Sequence, residues 1–256
     1  MIIFAGIVCA VEASSLTRDQ IRNQNKAYLK QQGITFLDGE IKIAKANFLI
    51  SQSTDNYYVS QIQKYLSMHQ EQEKNGFVEE PTPRVKELLH FKQSAKYQYK
   101  KYSNELSASS THLRHTIPEL KMAYHFVGVP DSEVNKNIGV APYGAYKQIK
   151  YGDENDGWDG AIQFFEKKGV GVCEFKEHNL KLAHGGIELV KELVTNDVSG
   201  KPTVILIQGT QDTGFLYQVS WYDDAFSREL SCAAETFSHA LKNNVLELAI
   251  AIEHAQ

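Results

Sequence analysis

The best metal-like spacing in the chain joins two histidines. His112 and His115 are three residues apart, and Glu119 follows four residues later. On a helix this spacing places both imidazoles on one face, where they could bind zinc together with a carboxylate. Pro118 breaks the helix just before the glutamate, so solvated histidines at a helix end are the alternative interpretation.

A second candidate group lies in the C-terminal half. Glu174, His178 and His184 are separated by even numbers of residues. On an extended strand their side chains would share one face and could form a catalytic or metal site. The pair Gly185–Gly186 favours a flexible turn instead, which would explain the glycines without any chemistry.

The acidic run at residues 153–159 resembles a calcium loop in composition. Asp153, Asp156 and Asp159 supply the oxygen ligands that calcium prefers. The spacing does not fit, because aligning Gly157 with the glycine of the loop places Gly152 where the first aspartate belongs. A solvated turn with helix-capping acids is the ordinary alternative.

No motif in the sequence specifies a cofactor. There is no GxSxG nucleophile elbow, no Walker loop and no GxGxxG after a strand. We therefore predict no cofactor and favour a protein that is not an enzyme. A site assembled in space from distant residues stays open.

The first residues predict export. Residues 1–11 form an apolar run without charge, too short to span a bilayer. The small residues Ala10 and Ala13 each follow a valine by two positions, a pattern that suits signal peptidase. We predict a signal peptide at residues 1–13, with a buried first strand as the alternative.

The cysteines agree with export. Cleavage after the apolar run would remove Cys9 and leave Cys173 and Cys232, an even number suited to an oxidising compartment. We predict a disulfide between these two and a periplasmic or secreted protein. In a cytoplasmic protein they would be two separate buried thiols.

One basic stretch is a candidate partner-binding surface. Residues 84–101 contain six basic residues and one acid, interleaved with tyrosines. A stripe of this kind could face an acidic partner, although it is also typical of a solvated helix face. The candidate residues are Arg84, Lys92, Lys96, Tyr97 and Lys100.

Composition and charge exclude some classes of protein. The chain is 42% hydrophobic and 23% charged, which is typical of a folded core. Its formal charge of −4 gives no general attraction to nucleic acid. We expect no transmembrane segment in the mature chain, and the oligomeric state stays open.

Apolar periodicity predicts a helical N-terminal half. Apolar residues recur at steps of three and four over residues 34–66 and again over residues 82–106. Thr82 followed by Pro83 is a favoured start for the second helix. A polar connection joins the two stretches, so we predict a helical hairpin.

The C-terminal half shows mixed signals. Residues 203–208 and 215–222 alternate as strands, with one aromatic face that a last helix over residues 234–252 could cover. We predict a loop at residues 135–151 and helices near residues 157–169 and 187–193. A strand at residues 170–175 could bring Cys173 to Cys232, which we place at the start of the last helix.

The predicted class is α+β: a helical region at residues 14–118, then a small, mainly antiparallel sheet packed against helices at residues 119–256. For function we favour an exported, non-catalytic protein that binds another protein. One alternative is a secreted hydrolase with a site assembled in the C-terminal half. A second alternative is a small-ligand binder that uses the aromatic face.

Overall fold

The computed structural model describes residues 41–91, 98–99, 105–153 and 155–256. Its main element is a seven-stranded antiparallel sheet, flanked by two parallel strand pairs. The strands are β1 (Ile41–Ala44), β2 (Gln98–Tyr99), β3 (His112–Leu113), β4 (Lys136–Lys147), β5 (Gly157–Lys167), β6 (Gly171–Asn179), β7 (Ile187–Val190), β8 (Asn196–Val198), β9 (Lys201–Thr210), β10 (Gly214–Tyr222) and β11 (Phe226–Ala234).

The large sheet runs in the order β4-β5-β6-β11-β10-β9-β8, while β1 pairs with β7 and β2 with β3. The helices of the described residues are α1 (Ala46–Gln52), α2 (Asn56–Asn75), α3 (Pro83–Leu89), α4 (Leu180–Ala183) and α5 (His239–His254). Among these described helices, none combines the length and apolar character needed to cross a membrane.

One face of the large sheet carries the main core. The last helix, α5, packs against β8, β10 and β11. Its residues Val245, Leu248 and Ile252 are buried, as the apolar stripe of the sequence indicates. The aromatic face of β10 lies in the same core, and all four of its large side chains are buried: Phe215, Tyr217, Val219 and Trp221.

The opposite face of the sheet is partly covered by α3. Thr82 caps this helix and Pro83 occupies its first position, as the sequence predicts. Val85 and Leu88 are completely buried in a second core cluster with residues from β5 and β10. The helix therefore buries its apolar stripe on the sheet.

The predicted α+β class with a helical hairpin is wrong. The protein is mainly β, with few helices. The helix that carries Val85 packs against β6, β10 and β11 rather than against another helix. The helix itself ends at Leu89, well short of the predicted residue 106. A seven-stranded sheet offers a larger apolar surface than a neighbouring helix does.

Three predicted non-strand segments also contain strands, and in the one predicted as a helix near residues 187–193, Ile187–Val190 forms β7. Residues predicted as a loop form β4, where Pro142 is tolerated because β4 is an edge strand and Gly144 lies in an irregular region of the ladder. Residues predicted as a helix form β5. Its first nine residues are buried, so the alternation that marks a half-exposed strand is missing.

The predicted cysteine pairing is present in the structure. Cys173 on β6 and Cys232 on β11 form a disulfide, and the two residues lie directly opposite each other across the ladder. Cys232 therefore lies within a strand, not at the start of the last helix. Both side chains are completely buried in the main core.

Candidate functional site

The structure places the predicted zinc residues in separate roles. His112 lies on the short strand β3, and the ring of His115 stacks on Tyr99 with 4.2 Å between ring centroids. Glu119 accepts a hydrogen bond from the hydroxyl of Thr116, and this bond holds the pKa of the Glu119 carboxyl below its usual value. Across the described residues, no group of three His, Cys, Asp or Glu side chains is arranged to hold a metal ion.

Glu174, from the second candidate group, forms an ion pair with Arg84, a candidate of the basic stretch. The Nε–H of Arg84 donates to Glu174 Oε1 at 2.8 Å, and the Glu174 side chain is buried. Arg84 also bonds Glu87 within α3 at 2.7 Å. The pair therefore fastens the first turn of α3 to β6. The other basic-stripe candidates, Lys92, Lys96, Tyr97 and Lys100, lie outside the described residues.

His178 comes together with an acid of the 153–159 run. Its Nε2 lies 3.3 Å from Oδ1 of the buried Asp159. That carboxylate also accepts a hydrogen bond from the N–H of Ala145 at 2.7 Å, and Lys147 Nζ lies 3.1 Å from its Oδ2. Burial alone would raise the pKa of the Asp159 carboxyl, but these contacts outweigh burial and hold the pKa below its ordinary value.

The Asp159–His178 pair is closely packed on the side of Tyr143 and Gly144. Gly144 lies so close that a β-carbon there would come within 2.0 Å of Asp159 Oδ1. The ring of Tyr143 packs edge-on against His178, with 5.3 Å between ring centroids. Backbone and ring atoms therefore pack closely around this contact, while the His178 side chain stays one-quarter exposed.

The remaining candidates are dispersed. His184 ends the short helix α4 in a left-handed conformation with φ of 52°. Asp153 accepts a hydrogen bond from the N–H of Gln148 at 3.1 Å, and Asp156 pairs with Lys121. Asp153, Asp156 and Asp159 therefore bind different neighbours and do not converge on one cation.

A buried charge cluster lies at one end of the sheet. Nε of Arg228 bonds Glu177 at 2.6 Å, and its NH1 bonds Asp223 at 2.7 Å and lies 3.4 Å from Glu253. Lys201 lies 3.0 Å from Asp223 and also pairs with Glu253. Because Glu253 belongs to α5, this network fastens the last helix to the sheet.

One exposed apolar surface among the described residues lies beside a cleft of about 400 Å³. Leu106 and Ile149 line this cleft, and Tyr151 ends the three-residue 3-10 helix Ile149–Tyr151. The three side chains are 51%, 60% and 65% exposed. We call these three residues the apolar ledge.

The walls beside the ledge are held by buried polar bonds. Glu105 Oε2 accepts hydrogen bonds from Trp158 Nε1 and from the guanidinium of Arg114, each at 3.1 Å. The ring of Tyr146 packs edge-on against Trp158, with 5.5 Å between ring centroids. These contacts fasten Glu105 and Tyr146, two residues of the cleft wall, to Trp158 of β5.

Sequence reasoning missed the ledge because each of its residues was assigned to another element. Ile149 and Tyr151 fell in the segment predicted as a loop, and Leu106 in the predicted long helix. Two large apolar residues at the end of the predicted loop, Ile149 and Tyr151, were the available signal.

Comparisons with known proteins add no identification. No protein-family model, no curated protein and no solved structure matches the chain.

Proposed function

We propose that the protein works outside the cytoplasm as a non-catalytic protein that binds another protein through the apolar ledge. The observation that carries this proposal is the exposure of Leu106 and Ile149 in one cleft, together with that of Tyr151 two residues after Ile149. Burying an exposed leucine or isoleucine side chain contributes about 1.5–3 kcal/mol. A partner that covers the ledge would gain this energy on binding.

The composition of the ledge suits a protein partner. Interfaces typically have an apolar and aromatic centre with a polar rim. Here the rim of the cleft includes Lys121, Lys150 and Asp156. These charges are of both signs, which favours an apolar anchor from the partner over a purely acidic or basic ligand.

The edges of the sheet support docking by side chains rather than by strand addition. The open side of β9 is covered by Gln72 and Val78, which bond its backbone. The open side of β4 bonds the backbone of Arg114 at Val140, and Pro142 follows within the strand. Such covered edges leave little backbone for an added strand.

The location part of the proposal rests on two features. The Cys173–Cys232 disulfide is compatible with an extracytoplasmic location, because structural disulfides persist mainly in oxidising compartments. The apolar run at residues 1–11 has the length of a signal-peptide core. The predicted signal peptide lies outside the described residues.

The alternatives have less support. The hydrolase hypothesis gains the Asp159–His178 contact, but that carboxylate is engaged by Ala145 and Lys147, and neither residue of the pair lines the cleft beside the ledge. The ligand-binding hypothesis relies on the aromatic face of β10, which is packed beneath α5. Neither arrangement offers a surface comparable to the ledge.

Capture of a partner by matched variants tests the proposal. The ledge variant Ile149→Ser/Tyr151→Ser removes two apolar side chains, and the control variant Phe48→Ser/Tyr57→Ser removes two others that are 51% and 72% exposed. Each tagged protein is used to capture partners from the native envelope or culture fluid, and the recovered partner is then titrated with purified protein.

We expect the ledge variant to bind at least about tenfold more weakly, since each anchor contributes more than about 1.4 kcal/mol. The control variant should bind as the unmodified protein does. Equal binding by both variants, or a monomer that recovers no specific partner, would overturn the proposal.

A further inference from the structure

A second cleft, away from the ledge, is lined by polar side chains. It has a volume of about 410 Å³ and lies between the end of α2, the start of β8 and the start of α5. That volume falls within the range of small-molecule sites and exceeds the space that one inorganic anion needs. The side chains that could bind a ligand there are His69, Lys74, Thr195, Asn196, His239 and Lys242.

The charge of this cleft is unbalanced. Lys74 and Lys242 both line it, and within the described ranges neither has a carboxylate within ion-pair distance. Glu73 is the only acid among its described lining residues, and Glu73 Oε1 lies 3.4 Å from His69 Nε2. Two ammonium groups facing one space repel each other, and an anion between them would relieve that repulsion.

The start of α5 adds to this positive character. Ser238 caps the helix, and its first turn contains no acid. Acids are favoured at this position because a helix N-terminus carries partial positive charge. His239 and Lys242 occur there instead. This arrangement is unfavourable for the helix alone and becomes favourable once an anion is present.

We propose that this cleft binds a small ligand that carries a phosphoryl group. Lys74 and Lys242 would contact the phosphoryl oxygens, and Thr195 and Asn196 would donate hydrogen bonds to the remainder of the ligand. The proposal is independent of the ledge, because the two clefts share no lining residue.

Pyrophosphate is a suitable probe, titrated by calorimetry into the full mature chain at constant ionic strength. We expect saturable binding that weakens at least about tenfold in Lys74→Gln and in Lys242→Gln. Glu73→Gln should bind more tightly, because it removes the one acid of the lining. Lys168→Gln is the control, since Lys168 is exposed elsewhere, between β5 and β6.

The outcomes separate the proposal from general charge effects and from misfolding. Thermal unfolding of each variant shows whether it is folded, and either lysine variant is sufficient for the test. No saturable binding at millimolar pyrophosphate would overturn the proposal. Equal weakening in Lys168→Gln, or equal competition by chloride, would overturn it as well, because binding would then reflect net charge alone.

Discussion

Arg228 organises the buried charges at one end of the sheet. Its guanidinium bonds Glu177 and Asp223, and both carboxylates lie in a poorly solvated environment. Burial alone would raise the pKa of the Asp223 carboxyl. Bonds from Arg228, from the N–H of Ala225 and from Lys201 outweigh burial and lower that pKa to about 2.

The lowered pKa of Asp223 predicts a defined acid sensitivity. A depressed folded-state pKa stabilises the protein above the unfolded-state value of 3.8, and that contribution is lost as the pH falls towards about 2. We expect Asp223→Asn to lower the free energy of unfolding by roughly 2 kcal/mol at neutral pH. The difference from the unmodified protein should vanish near pH 2.

Urea unfolding at a series of pH values measures this effect. Asp212→Asn is the control, because Asp212 is exposed in the turn between β9 and β10. A difference between Asp223→Asn and the unmodified protein that stays constant from pH 7 to pH 2 would contradict the assigned cause.

At the residue scale, the sequence predicted the pairing of Cys173 with Cys232 but not the strand that carries Cys232. Cysteine counting needs only the removal of Cys9, whereas the position of Cys232 depends on the strand register. The Asp159–His178 contact is of the same kind. The two residues are brought together by the pairing of β5 with β6, and no spacing along the chain encodes that register.

Among the elements, α2 has a role that its own sequence does not reveal. Gln72 Nε2 donates to the carbonyl of Ile205 at 2.9 Å, and Gln72 Oε1 accepts from the N–H of Ile207 at 2.5 Å. One amide side chain thus takes the place of a neighbouring strand along the edge of β9. Unpaired backbone groups at such an edge invite association with other chains.

Removing this amide should loosen the edge of the sheet. We expect Gln72→Ala to lower the free energy of unfolding by about 1–3 kcal/mol, since two backbone groups lose their partner. Hydrogen exchange of the Ile207 amide should become faster. Gln70→Ala is the control, because Gln70 is exposed on the same helix. Equal effects of the two substitutions would show that the amide of Gln72 contributes nothing specific.

The elements that sequence patterns predicted well are those with one apolar face. The apolar stripe of α5 and the alternation in β9 and β10 each reflect an element with one buried face and one more exposed face. The strand β5 was predicted as a helix because its first nine residues are buried on both faces. A strand that is buried on both faces does not need the two-residue alternation of apolar and polar side chains. The helical spacing of Trp158, Ile162 and Phe165 is therefore a coincidence.

At the scale of the whole molecule, the disulfide joins the centre of the sheet. It links residues 59 positions apart, and this separation corresponds to about 4 kcal/mol of stabilisation in the chain-entropy account. We expect Cys173→Ala/Cys232→Ala to unfold at a lower urea concentration, with a free energy of unfolding lowered by about 4 kcal/mol. An unchanged urea midpoint would contradict a stabilising role for the cross-link.

Mass spectrometry of the mature protein tests the compartment. Export predicts a new N-terminus at Val11 or Ser14 and a mass lower by two hydrogens than that of the free thiols. An intact Met1 together with free Cys173 and Cys232 would contradict export.

The proposed binding surface also belongs to this scale, because the ledge is assembled from distant parts of the chain. Leu106 and Ile149 line the same cleft although they are far apart in the sequence, and Glu105, next to Leu106, is fastened to Trp158 and Arg114. No local sequence motif predicts such a surface. The binding proposal rests on the exposure of its apolar side chains.

Site-specific photocrosslinking tests the central claim most directly. A photoreactive side chain is placed at position 149 on the ledge or, as the control, at position 57, where Tyr57 is 72% exposed on α2. The account predicts that one partner protein is captured covalently from position 149, is displaced by excess unlabelled protein, and is not captured from position 57. Capture with equal yield from both positions, or from neither, would contradict it.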